Sequence, residues 1–252
     1  MSIEEIIVSL PAPKPLRLPG AALFLDLDGT LAPIAARPQD VRPDPRRTQL
    51  LERLTDALAG RLAVVSGRTL ADVDRILERR VTCVAAVHGL VRRDCDGALH
   101  EPAPHPELAA ALADLRAFAA QDSGLIVEEK GPSVALHFRL ARHHAAGARA
   151  LAQRIGAETG LILQEGDMVE ELRTPGPTKG DSIRAFMAEA RFRDTTPIFV
   201  GDDVTDEHGF DEVARLGGFG VLVGPPRPTH ARYRLNGVED VMAWLEAAAW
   251  PG

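Results

Sequence analysis

Two aspartates two residues apart, Asp26 and Asp28, close the apolar run 21–25 and are followed by Gly29 and Thr30. A carboxylate can attack phosphorus and form an aspartyl phosphate if a cation screens the repulsion between the two anions. A second acid-base group must also handle the proton of the leaving oxygen. Asp26 fits the nucleophile and Asp28 the acid-base partner. Gly29 permits a sharp turn, and Thr30 carries a hydroxyl back toward the same pocket. Taken alone, Asp-x-Asp-Gly also describes a strand ending in an Asx turn, so the assignment depends on what other loops bring to the same place.

Three further strings supply the missing parts. Ser66-Gly67-Arg68 stands where a second apolar run gives way to a helix, and backbone N–H groups at such a start favour phosphoryl oxygens. Lys179 stands at another helix start, where a cation opposes the helix dipole unless an anion lies beside it. The segment 201–207, Gly-Asp-Asp-Val-Thr-Asp-Glu, concentrates four carboxylates that are costly to leave uncompensated. A divalent cation relieves that cost, and Mg²⁺ takes one or two carboxylates together with a phosphate. The expected direct ligands are Asp26, the backbone carbonyl of Asp28, and Asp202, with Asp203 and Asp206 orienting waters or the lysine. An acidic helix cap is the competing reading for Asp206 and Glu207.

Elements with the right spacing exist to hold these loops. Leu50, Leu51, Leu54 and Leu58 mark a helix stopped by Gly60; a strand at 61–65 leads into a helix capped by Thr69 and Asp72; a third strand follows at 82–87. Alternation of this kind predicts a parallel sheet covered on both faces. The rhythm breaks after His88-Gly89. A hairpin is expected around Asp94-Cys95-Asp96-Gly97, then a helix after Pro106, strands at 125–130 and 134–139 and an alanine-rich helix of about four turns. A second hairpin is expected at 161–173. Val134, Leu136 and Phe138 then share one strand face, and His137 and Arg139 the other. Alternation resumes with a helix at 178–190, strands at 197–200 and 219–223, and a closing helix at 238–249. The expected fold class is α/β, a Rossmann-like parallel sheet core with an inserted α+β cap. The N-terminal arm covers 1–20, the core 21–98 and 176–252, and the cap 99–175.

Composition sets the outer limits. The chain has 252 residues, is 45% hydrophobic and 26% charged, and carries a formal charge of -7. That acidity argues against broad binding to nucleic acid or to an anionic membrane, so an anionic substrate needs a local basic pocket. No stretch approaches the roughly 20 apolar residues of a membrane span, and the acidic N-terminal stretch lacks the basic start of a secretory signal. A cytoplasmic setting is expected, with Cys83 and Cys95 as reduced thiols because their spacing matches neither a redox pair nor a zinc site. A monomer is the favoured oligomeric state.

In order, Asp26-Leu27-Asp28-Gly29-Thr30, Ser66-Gly67-Arg68, Lys179 and Gly201-Asp202-Asp203 resemble the four motifs of the haloacid-dehalogenase-like phosphatases. Within them, several strings resemble the trehalose-6-phosphate phosphatases. These are Val87-His88-Gly89, Glu128-Glu129-Lys130, His137-Phe138-Arg139, Glu171-Leu172-Arg173 and Gly201 to Glu207. The resemblance implies a small-molecule sugar phosphate as substrate and Mg²⁺ as cofactor. It implies that Ser66, Gly67 and Arg68 hold phosphate while His88, Lys130, His137, Arg139 and Glu171 read the sugar. One departure stands out: Leu90-Val91 follows His88-Gly89 where that family usually has a small residue and a glutamate. Another sugar phosphate, such as sucrose phosphate or a glucosyl or mannosyl glycerate phosphate, remains the alternative substrate. A phosphate-accepting signalling module is the alternative class.

Overall fold

A computed structural model describes residues 10–250. The chain begins with β1 (Ala21–Leu25), α1 (Pro45–Ala57), β2 (Leu62–Val65), α2 (Leu70–Ile76), β3 (Cys83–Ala86), β4 (Val91–Arg93) and β5 (Leu99–His100). It continues through α3 (Leu108–Ala119), β6 (Ile126–Glu129), β7 (Ser133–His137), α4 (Ala145–Thr159), β8 (Ile162–Gly166) and β9 (Val169–Arg173). The last stretch holds α5 (Lys179–Ala188), β10 (Thr196–Gly201), α6 (Glu207–Arg215), β11 (Phe219–Val223), β12 (Tyr233–Leu235) and α7 (Val238–Ala249).

Eight strands form one sheet in the order β12-β11-β10-β1-β2-β3-β4-β5, and four form a second in the order β6-β7-β9-β8. The first six strands of the large sheet are parallel, and β4 and β5 extend its edge antiparallel. β1 lies between β2 and β10, and all five of its residues are buried. Alternation sorts their side chains. Leu23 and Leu25 pack with Leu50, Leu54, Val241 and Leu245 of α1 and α7. Phe24 faces the other way, into Phe186, Phe199 and Phe210 beside α5 and α6. Each such side chain fully removed from water contributes roughly 1.5–3 kcal/mol, so burial on both faces fixes the register of β1 and with it the position of Asp26.

The small sheet is antiparallel and one-sided. Val134, Leu136, Phe138 and Leu172 form its core with Leu108 and Leu115 of α3 and Ala148 and Ile155 of α4. Its opposite face is polar. Register places Glu128 and Glu171 on either side of Ala135, whose small side chain leaves room between the two carboxylates.

Three features depart from expectation. The hairpin after His88-Gly89 belongs to the large sheet, since Leu99 and His100 pair with β4. Helix α6 and strand β12 have no counterpart in the sequence reading. Cys83 and Cys95, expected as free thiols, are joined in a disulfide. The turn after β4 folds Cys95 back over β3, leaving the two Cα atoms 4.6 Å apart, within reach of a bridge; linear spacing alone does not reveal that pairing. The described part of the N-terminal arm, from residue 10, runs beside β12 and α7. There the Arg234 N–H donates to Pro11 O (3.0 Å) and the Trp244 ring N–H to Lys14 O (2.8 Å).

Candidate active site

Parallel strands deliver their next residues to one edge of a sheet, and Asp26, Ser66 and Asp202 follow β1, β2 and β10 at that edge. The Asp26 N–H continues the ladder by donating to Val200 O (2.9 Å). Its carboxylate accepts from Lys179 Nζ at 2.9 Å, and the same ammonium donates to Asp206 at 2.6 Å. All three are buried. Lys179 is the first residue of α5, whose N-cap Thr178 forms a reciprocal capping box with Asp181. Burial works against the ammonium, but Asp206 and Asp26 outweigh it and raise its pKa. Lys179 is therefore a fixed positive charge.

The carboxylates tell the opposite story. Burial lifts the Asp26 pKa well above its usual range; Lys179 offsets part of this, while Asp206 and Asp202 add to it. Burial, with Asp206 close by, pushes Asp202 to about 7 despite Lys179. Asp26, Asp202 and Asp206 each offer an oxygen within 4.8 Å of the others. Asp202 Oδ1 is buried without a partner. Three crowded carboxylates with one unpartnered oxygen are the donor set a hard divalent cation takes. Gly29 makes the crowding possible: its φ is +75°, and a Cβ there would lie 2.0 Å from Asp202 Oδ2. Asp203 caps the turn that presents this cluster, its carboxylate accepting from the Val204 N–H at 2.7 Å. Thr30 is buried with its hydroxyl unpartnered and is absent from the cavity wall.

Ser66 and Arg68 form the next wall. Arg68 grips Asp28 through two parallel bonds of 2.6 and 2.7 Å and donates to Pro38 O at 2.7 Å. The Arg68 N–H, expected to face phosphate, is donated to Ser66 Oγ (3.2 Å). Gly67 lacks a side chain where the His88 ring lies, since a Cβ would meet that ring at 2.4 Å. Val87 and His88 both hold left-handed φ values, 48° and 55°, a strained choice for a β-branched residue. Two hydrogen bonds hold the strain in place, Val87 N–H to Arg68 O (2.8 Å) and His88 N–H to Ser66 O (2.9 Å).

The small sheet closes the opposite side. Lys130 Nζ reaches across to Gly67 O at 3.0 Å and pairs with Glu171 at 2.7 Å. Glu171 also accepts from Ser133 Oγ at 2.7 Å and lies 3.4 Å from the His88 ring. Burial alone would raise the Glu171 pKa, but Lys130 and His88 hold it well below the usual carboxylate range. Burial disfavours the Lys130 ammonium, and Glu171 and Glu128 more than restore it. His137 is joined to Glu128 at 2.8 Å, and Arg139 to Asp167 at 2.9 Å. A cavity of about 420 Å³ lies between the strand ends of the large sheet and the polar face of the small one.

The cavity brings together Asp26, Asp28, Ser66, Gly67, Arg68, His88, Lys130, His137, Arg139, Lys179, Asp202 and Asp203. Glu171 lies behind Lys130 instead of on the wall, and Asp206 behind Lys179. Glu128 and Asp167, given no role from sequence, line the cavity and hold His137 and Arg139. Glu128 carries a signal of its role, being two residues from Lys130 on the same strand face; Asp167 sits in a turn with no such signal. Ile34, Pro38 and Pro225 also contribute wall from loops without periodicity.

The fold is shared with a phosphatase of the haloalkanoate (HAD) enzyme superfamily from Bacteroides thetaiotaomicron, at a TM-score of 0.62 over 98% of this chain and 97% of that one with 13% identity. The parallel sheet and the inserted small sheet thus define a HAD-type α/β fold. Similarity narrows further in sequence. Residues 24–239 match the trehalose-phosphatase family. A trehalose-6-phosphate phosphatase of Escherichia coli (strain K12) is 42% identical over 227 residues, 89% of this chain and 85% of that protein. This chain belongs to the trehalose-phosphatase family, whose members are phosphoric monoester hydrolases. The C-terminal domain of a C. albicans trehalose-6-phosphate phosphatase superposes with a TM-score of 0.83 over 95% of this chain and 98% of that one, at 19% identity. Among the described residues no helix is long and apolar enough to cross a membrane.

Proposed function

We propose that this protein hydrolyses trehalose 6-phosphate to trehalose and phosphate through an aspartyl phosphate on Asp26. The observation that carries the reading is the meeting of Asp26, Lys179 and Asp202 beneath a cavity whose far wall presents Lys130, His137 and Arg139. A phosphate end and a hydroxyl-reading end face each other across one space.

In the first half-reaction an Asp26 oxygen bonds to phosphorus and the bond from phosphorus to the sugar oxygen breaks. Asp28 gives that oxygen its proton. In the second, Asp28 takes a proton from water, whose oxygen bonds to phosphorus and releases phosphate from Asp26. Asp28 must let go of Arg68 to do this, which frees the guanidinium to meet phosphoryl oxygens beside Ser66 Oγ and the Gly67 N–H. Lys179 keeps its proton throughout and balances the charge near Asp26. Mg²⁺ fits the donor set of Asp26, the Asp28 carbonyl and Asp202, and bound there it screens the carboxylates from the phosphate. Asp203 and Asp206 position that set from behind, with Thr30 beneath the loop.

Lys130, His137, Arg139 and His88 read the disaccharide hydroxyls, and Glu171 aims Lys130 and His88. Residues 101–175 act as a cap over the core formed by 21–100 and 176–252, β5 staying with the core sheet, and exclude bulk water while the phosphoryl group transfers. A sugar phosphate does not cross membranes unaided, so the enzyme works where its substrate is made, in the cytoplasm. Leu90 and Val91 pack in the core of the large sheet and take no part in the sugar site.

Phosphate release measured across trehalose 6-phosphate, sucrose phosphate, glucosylglycerate phosphate and glucose 6-phosphate, with and without Mg²⁺, tests the reading. Trehalose 6-phosphate should give the highest kcat/KM and chelation should abolish turnover. A different preferred sugar, or turnover indifferent to chelation, overturns it.

A further inference from the structure

Away from the cavity, at one end of the two helices that cover the small sheet, Asp122, His143 and His144 each offer one ligand atom, all within 4.8 Å of one another. Asp122 follows α3, and the two histidines immediately precede α4. Asp122 Oδ2 is 3.2 Å from His143 Nε2 and 3.5 Å from His144 Nε2. In a tetrahedral zinc site with metal-ligand bonds of about 2.0–2.1 Å, neighbouring ligand atoms stand roughly 3.3 Å apart. The two carboxylate-to-imidazole spacings therefore already suit such an ion.

The surroundings aim them. The Gly124 N–H donates to Asp122 Oδ1 at 2.8 Å, fixing the carboxylate so that its other oxygen turns to the histidines. The His144 ring stands edge-on to Phe118 of α3, with ring centres 5.9 Å apart. Support of this kind from outside the ligand set is what orients imidazoles and carboxylates at metal centres. Two imidazoles and one carboxylate suit zinc and its neighbours among the late first-row divalent ions, and suit Mg²⁺ poorly because it prefers oxygen.

We propose that Asp122, His143 and His144 form a second metal site in the cap, selective for a zinc-type divalent ion and distinct from the carboxylate set beside Asp26. With three protein ligands and water completing the tetrahedron, the ion would tie the end of α3 to the start of α4. Its contribution would be to cap rigidity, with no part in phosphoryl transfer.

Calorimetric titration of the full chain with Zn²⁺, after chelator treatment and with Mg²⁺ in excess, tests the site. One equivalent should bind to the parent and to Asp202→Asn. Asp122→Asn, which keeps an acceptor for Gly124, and His144→Gln should each bind it at least tenfold more weakly. Both should retain phosphatase turnover and a native circular dichroism spectrum. Co²⁺ in place of Zn²⁺ should give the intense visible bands of four-coordination in the parent and lose them in Asp122→Asn. Absence of Zn²⁺ binding to the parent, or binding unaffected by Asp122→Asn and His144→Gln, overturns the proposal.

Discussion

Arg68 holds Asp28 in a two-pronged pair, Nε to Oδ2 at 2.6 Å and Nη2 to Oδ1 at 2.7 Å. Both Asp28 oxygens are engaged by the guanidinium, so neither is free to reach the departing sugar oxygen that Asp28 is proposed to protonate. The pair is thus a resting arrangement that an incoming phosphate must break, exchanging one anion for another at the guanidinium.

Arg68→Lys keeps the charge and loses the fork. Its kcat/KM on trehalose 6-phosphate should fall by about 10- to 100-fold, the range for one charge-assisted bond. Steady-state kinetics on both proteins decide this; an unchanged kcat/KM would show that Arg68 does not meet the phosphate.

Asp26→Asn preserves volume and removes the attacking charge. Turnover should drop by about 10⁴-fold or more, while Lys179 keeps Asp206 as its anion and the fold persists. Substantial phosphate release from a folded variant would remove Asp26 from the nucleophile's role.

Asp202, pushed to about 7 by burial and by Asp206, is half protonated near neutrality before a cation binds. A metal must displace that proton. Mg²⁺ affinity should therefore weaken as pH falls from about 8 to about 6, approaching tenfold per pH unit below the Asp202 value. Calorimetry in two buffers of different ionisation heat should register proton release near pH 7, which Asp202→Asn eliminates. A pH-independent affinity would contradict the assignment.

The Lys130–Glu171 pair supports both stability and recognition. Glu171 titrates well below its ordinary value, so its contribution is complete above about 4.5 and is lost as pH falls through the folded value. Lys130 is raised above its ordinary value, so its contribution is complete below about 10.5 and is lost as pH rises through the folded value. Glu171→Gln leaves the buried ammonium with only the more distant Glu128, 3.9 Å away, and should cost up to about 3–5 kcal/mol in denaturant unfolding. Lys130→Met/Glu171→Leu should regain most of that stability but not discrimination of trehalose 6-phosphate from an aryl phosphate. Recovery of both would make the pair purely structural.

Much of this fold is legible in local sequence signals. The apolar runs before Asp26, Ser66 and Asp202 are buried β1, β2 and β10, and Thr69 caps its helix through the backbone N–H of Asp72 as expected, whereas Thr178, expected inside its helix, is the N-cap. Period two on β7 separated Val134, Leu136 and Phe138 from His137, because a one-sided sheet must alternate. Helix α6 is hard to read from sequence because its acidic start fits metal ligation as well as a helix cap. Long-range pairings were invisible: the Arg68–Asp28 fork spans 40 positions, and Lys130 meets Gly67 across 63. Such partners are chosen by the crossing of loops from separate elements, which no local pattern encodes.

The most direct test is to quench a single turnover of trehalose 6-phosphate labelled in its phosphate and locate the label after proteolysis. The account predicts acid-stable label on the peptide containing Asp26, absent from Asp26→Asn, with trehalose released before phosphate. Label on another residue, or simultaneous release of both products with no labelled peptide, would contradict it.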